Sequence, residues 1–168
     1  MKTLGHVLDI VLSATALCAF YLTAPGEVFE FDKAEMTIVN TEGASHDLVL
    51  EVATSKKQRA LGLMFREQMS EGAGMIFIFP STRPARMWMK NMALELDMLF
   101  VDEDGVVREI RPHVHPHSDL IVSSRNPVRY VIELNGGAST SLGIRPGSRL
   151  ILAMSSSENK LLPWSTLP

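Results

Sequence analysis

Four side chains between Arg59 and Asp97 could together hold a polar or anionic ligand: Arg59, Lys90, Asn91 and Asp97. Asp97 opens an apolar run and shares a strand face with Leu99 and Val101, so its carboxylate is expected to lose water. A desolvated carboxylate favours a cationic neighbour, and Lys90 and Arg59 are the candidates to supply it. The same four residues also read as a buried ion pair and side-chain network that fixes strand register.

Two further clusters carry possible chemistry. His113-Val114-His115 has the spacing that sets two imidazoles on one side of a zinc ion, and Asp119 could add an oxygen. Pro112 and Pro116 interrupt a strand there, which makes a solvated histidine tract in a loop the default. No cofactor is therefore expected, and a divalent metal on His113 and His115 is the alternative. Seven of the ten methionines fall between Met64 and Met98. Thioethers suit Cu(I), yet these are mixed with Leu, Phe and Ile as in an adaptable core, which is the default.

Other chemistries find no motif. The only cysteine, Cys18, lies in the N-terminal segment, so the domain beyond it has no disulfide, thiol nucleophile or thiolate metal site. There is no nucleophile elbow, glycine-rich phosphate loop or His-Glu-x-x-His. A hydrolase would have to be assembled from distant residues such as Asp97, Glu133 and a histidine. The net charge is −3 with cations and anions interspersed, which argues against nucleic acid as a partner.

The elements that must position these residues are short and mostly extended. Met36 to Asn40 and Asp47 to Ala53 flank a polar turn and predict a hairpin. Ser55 and Gln58 form a capping-box pattern ahead of a short helix, Lys56 to Leu61, stopped by Gly62. Met75 to Phe79 predicts a buried strand ended by Pro80. Arg86 to Asn91 is expected as a strand with Met87, Met89 and Asn91 on one face and Trp88 and Lys90 on the other. Leu96 to Asp102 predicts another, joined through Asp102-Glu103-Asp104-Gly105 to Val106 to Ile110. A proline-interrupted loop is expected from Arg111 to Pro127, then a strand from Val128 to Leu134, a helical turn from Ala138 to Leu142 and a last strand from Arg149 to Met154. Short strands with frequent turns and two short helices predict a mainly β, single-domain β-sandwich or distorted barrel.

The N-terminus carries Lys2 and then an apolar run over residues 7–22, the layout of a signal segment. Its length falls within the roughly 17 to 25 residues of a spanning helix, so an uncleaved inner-membrane anchor is the alternative. Small residues at Ala24-Pro25-Gly26 suit cleavage there. Leu17 before Cys18 fits a lipoprotein site poorly. The expected organisation is 1–26 as signal peptide or anchor, 27–155 as the β domain and 156–168 as a loosely ordered tail. The protein is expected to be exported, periplasmic or held at the inner membrane by residues 7–22, and to meet the membrane through that segment alone.

Several phrases together carry a family resemblance: Thr54, Arg59 to Met64, Gly74 to Phe79, Met87 to Asn91, Leu96-Asp97, Tyr130 to Leu134 and Leu142 to Gly147. In this order and spacing, over roughly Met36 to Met154, the chain resembles the family called domain of unknown function 192. The resemblance implies a small β-sandwich or distorted barrel, commonly behind a signal segment, with no established activity. The chain departs from the family pattern at Met92, where Thr is usual, and at Glu95, where Pro is usual. The resulting expectation is a non-catalytic binding or accessory domain of the cell envelope. Its polar pocket, around Arg59, Lys90, Asn91 and Asp97, would take a polar small molecule or an envelope component. An envelope hydrolase using the same pocket and a purely structural assembly partner are the alternatives.

Overall fold

The structure, a computed structural model, describes residues 31–152. The expected signal segment, Cys18 and the C-terminal tail lie outside the described residues.

Seven strands form one sheet. In chain order they are β1 (Asp32–Val39), β2 (Ser45–Ala53), β3 (Ala73–Met87), β4 (Leu96–Val101), β5 (Val107–Val114), β6 (Val122–Asn135) and β7 (Arg149–Leu152). Helix α1 (Lys56–Leu61) joins β2 to β3, and α2 (Ala138–Ser141) follows β6. The spatial order is β5-β4-β6-β3-β2-β1-β7, antiparallel throughout except for β2 against β3. The two edges meet at one corner, where the Val107 N–H donates to the Ser148 carbonyl at 2.9 Å and Gly147 returns a bond to Val107 at 2.8 Å. A continuous sheet curled in this way is a half-barrel, which decides for the barrel over the sandwich.

Period-two alternation divides the core into two layers. Side chains from all seven strands, among them Met36, Leu50, Ile76, Val101, Val107, Ile132 and Leu150, fill the inside of the curl. The opposite face of β3, β4 and β6 carries Met75, Phe77, Met98, Phe100 and Val131, covered by Leu63, Met89 and Met92 from the connecting segments.

Local chemistry explains the best-formed connections. The Ser55 hydroxyl oxygen accepts from the Gln58 N–H at 3.1 Å, and the Gln58 side-chain oxygen accepts from the Ser55 N–H at 3.0 Å, the expected capping box. Gly62 ends the helix at φ 53°, packed so closely on the Phe77 ring that a Cβ would sit 3.2 Å from it. In the β4–β5 turn, Asp102 accepts from the backbone of Asp104 and Val106 and holds the hairpin tight.

Three expectations about extent need correction. β3 does not end at Pro80 but runs on to Met87, and β6 begins at Val122 rather than Val128. Beyond Phe77 and Tyr130 neither β2 nor β4 accompanies them, so Pro80, Pro84 and Pro127 lie in a two-stranded ribbon where no third strand needs their missing N–H. β5 likewise passes through Pro112 to Val114, because it is an edge strand with one side unpaired.

Candidate functional site

Of the four residues expected to share a pocket, the sheet separates Asp97 from Arg59. Asp97 pairs with Leu134 in the β4–β6 ladder and points into the curl with Leu99 and Val101. α1, which carries Arg59, lies against the other face, where Phe77 and Glu133 line the same small cavity as Arg59. Among the described residues no cation pairs with Asp97. Its carboxylate, fully buried, accepts four hydrogen bonds instead: from the His113 N–H at 2.9 Å, the Gly137 N–H at 3.0 Å, the Ser139 N–H at 2.8 Å and the Ser139 hydroxyl at 2.5 Å. Burial alone would raise its pKa, but the Ser139 hydroxyl and the three backbone donors outweigh it and hold the carboxyl below its ordinary value. Asp97 thus ties β4 to β5 and to the start of α2.

Arg59 is held by carbonyls. Its guanidinium donates to the Thr54 oxygen and, at 2.9 Å, to the Ile78 oxygen, and it lies over the Phe79 ring at 5.7 Å. Arg83 sits over the same ring at 4.8 Å. Desolvation, with the charge of Arg83 second, lowers the Arg59 pKa. Together with Lys56 and Arg86 these two arginines line a groove of about 360 Å³ whose apolar walls include Phe79 and Trp88. Among the described residues no carboxylate lies within ion-pair distance of any of the four cations.

Lys90 and Asn91 do not line this groove. The strand expected over residues 86–91 stops at Met87, whose partner Val122 is the first residue of β6, so the ladder runs out. Asn91 adopts φ 57°, a left-handed conformation that Asn tolerates well. Its carbonyl accepts from the Phe65 N–H at 2.9 Å and its side-chain nitrogen is 4.0 Å from the Met64 sulfur. Both residues are exposed.

The histidine pair converges on a residue that the motif reading did not include. Glu95 Oε1 lies 2.7 Å from His113 Nδ1, and Glu95 Oε2 lies 3.4 Å from His115 Nδ1. The hydrogen bond to Glu95 raises the His113 pKa. Asp119 has no part in this clamp. Among the described residues, no group of three or more His, Cys, Asp and Glu is placed to hold a metal. Glu95 and the histidine tract both fall outside the family pattern, and they meet each other.

Two features lie outside the four-residue pocket expected from the sequence. The stretch between Glu71 and Glu95 contains Arg83, Arg86 and Lys90 and no acid, a signal in the sequence for an unneutralised cationic patch. Glu133, 2 % exposed, stands on the outer face of the central strand β6 between Met75 and Met98. It borders a small, half-open recess of about 20 Å³ with Met64, Met87, Trp88 and Met92, and it has no hydrogen-bond partner among the described residues. Burial pushes its pKa up to about 8. On the opposite side of the sheet a wider cleft of about 820 Å³ opens between the start of β2, Gly72 and α2. His46 borders it with a buried, unpaired Nε2.

A curled seven-stranded sheet with one short helix across its outer face, and ionisable groups buried on both faces, defines a small β half-barrel domain. The chain belongs to the DUF192 family, described as an uncharacterized ACR, whose pattern it matches over residues 37–152. Among solved structures it is similar to a protein from Sinorhizobium meliloti 1021 described as a candidate transcription regulator. The two share 47% identity at a TM-score of 0.72, over 74% of this chain and 96% of that one. It is also similar to a protein of unknown function from Novosphingobium aromaticivorans DSM 12444, with 32% identity, a TM-score of 0.70 and coverage of 74% of this chain and 89% of that one. No functionally curated protein matches the chain.

Proposed function

We propose that this protein is a non-catalytic binding domain of the cell envelope that takes an anionic ligand in the groove lined by Lys56, Arg59, Arg83 and Arg86. The ligand class is an acidic glycan, peptide or other polar small molecule of the envelope. One observation carries the reading: four cations border one groove and no carboxylate among the described residues neutralises them. Two of them share the face of Phe79, an arrangement of like charges that an incoming anion relieves. Phe79 and half-exposed Trp88 add apolar surface for the uncharged part of a ligand. The export half of the proposal rests on the apolar run over residues 7–22 and on a β domain free of cysteine. A DNA-binding role, which the description of the Sinorhizobium protein would suggest, fits poorly with a net charge of −3.

Thermal unfolding in the presence of acidic glycan fragments, acidic peptides and small anions tests the site. An anion at about 100 times its dissociation constant should stabilise the native protein by about 2.7 kcal/mol. The folded double variant Arg83→Ala/Arg86→Ala should lose that shift, because both side chains are exposed and their removal spares the core. If no anion stabilises the native protein, or if the shift persists in the variant, the groove is not the binding site.

A further inference from the structure

We propose that the recess beneath Trp88 is a soft-cation site that takes Cu(I) through the thioethers of Met64, Met87 and Met92 and the carboxylate of Glu133. The inference rests on a donor set separate from the groove's cations, although the two adjoining spaces share Arg59, Ala60, Phe77, Met87 and Trp88 as walls.

Size limits the occupant first. The recess of about 20 Å³ has room for one particle the size of a water molecule, which suits a single ion. The donor set then chooses the ion. Among the described residues, three that border the space are methionines, Glu133 supplies the one carboxylate, and no histidine or cysteine borders it. Calcium and magnesium need several oxygen ligands and zinc prefers imidazole, thiolate or more than one carboxylate. Thioethers with a single anionic oxygen match Cu(I). Trp88 is half exposed at the outer side, and an indole wall favours a cation further.

The electrostatics point the same way. Among the described residues the buried Glu133 carboxyl has no partner, so it keeps its proton or receives a counter-charge. Uptake of Cu(I) exchanges one for the other: the carboxyl releases H⁺, the carboxylate oxygen binds Cu⁺, and the pair stays neutral with no change of oxidation state. Arg59 brings the only guanidinium to the recess wall, and that group is engaged by the Thr54 and Ile78 carbonyls. Met64 borders the recess, is partly buried, and has its sulfur 4.0 Å from the Asn91 side-chain nitrogen.

The test is anaerobic competition for Cu(I) against a chromogenic chelator, using the full chain with Cys18→Ser so that the only thiol is removed. One Cu(I) per chain is expected, with shifts in the NMR methyl signals of Met64, Met87 and Met92 and none in Met36, which lies on the other face of the sheet. Met87→Leu/Met92→Leu should weaken binding at least 100-fold and Glu133→Gln at least 10-fold. Met64→Leu, at the less buried rim, serves if the core double variant does not fold, and should weaken binding at least 10-fold. The proposal fails if the protein does not compete with the chelator, or if a folded variant retains native affinity.

Discussion

Asp97 and Glu133 are one strand apart, both buried to within 2 % of complete exclusion, and yet opposite in electrostatic character. Asp97 faces the inside of the curl and is surrounded by donors from β5 and α2, so it is held as a carboxylate. Glu133 faces the methionine-lined outer layer, finds no donor, and is held as the neutral acid at pH values where an exposed Glu would be ionised. Burial is therefore a poor guide to what an acid does in this fold. The donors brought to it decide, and a fully bonded carboxylate is architecture while an unbonded one is a vacancy for a proton or a cation.

The largest effect should come from breaking Glu133. Its folded pKa of about 8 exceeds the reference value of 4.5, so the folded state holds a proton that the unfolded state has released between those limits. Stability is complete below about pH 4.5, falls as pH rises toward about 8 and is level beyond; the span corresponds to a loss on the order of 5 kcal/mol. Urea unfolding of the metal-free protein across this range measures the slope. Glu133→Gln should flatten it, leaving stability near pH 4 almost unchanged and raising it by several kcal/mol at about pH 8. A native protein with no slope would show that the carboxyl has a partner after all.

Asp97→Asn should act with the reverse dependence. The replacement keeps the shape but points an amide at donors and removes the charge that strengthens four bonds, at a cost of about 3 kcal/mol near neutral pH. Because the Asp97 pKa is lowered, its contribution is present above the reference value of 3.8 and is lost as pH falls through the lower folded value. The penalty of Asp97→Asn should therefore shrink in acid, where the native side chain is protonated too. A penalty that is constant with pH would mean that the carboxylate charge contributes nothing.

What could be read beforehand follows from how far apart the interacting residues lie in the chain. The capping box of α1, the Asp102 turn and the Gly62 stop depend on neighbours within a few positions, and each formed as the sequence pattern predicts. Prolines misled where tertiary context removed their penalty: Pro80, Pro84 and Pro127 sit in a ribbon with free edges, and Pro112 on an edge strand. Asp97 was legible as a desolvated acid, but its donors come from 16, 40 and 42 residues away, and three of the four are backbone groups that no side-chain pattern announces. Arg59 lines a groove with Lys56, Arg83 and Arg86, and the two partner arginines came into view only because β3 continues past Pro80. Glu133 was legible only as one distant member of an assembled site, and its burial follows from the two strands that flank β6, which no local pattern announces.

The smallest effect sharpens the Asp97 side of the comparison by separating hydroxyl from backbone. Ser139 gives Asp97 two bonds, one from its N–H and one from its hydroxyl at 2.5 Å, and Ser139→Ala removes only the second. The buried carboxylate keeps three backbone donors, so the loss should be about 1 kcal/mol near neutral pH. The hydroxyl is the foremost influence lowering the Asp97 pKa against burial, so its removal should move the acid limb of the stability curve to higher pH. Acid titration of the Asp97 carboxyl signal by NMR, run beside urea unfolding at neutral and acid pH, measures both. A pKa that rises while neutral-pH stability barely changes would assign charge retention to the hydroxyl and fold retention to the backbone; a pKa that stays put would place the whole of that work on the three N–H groups from β5 and α2.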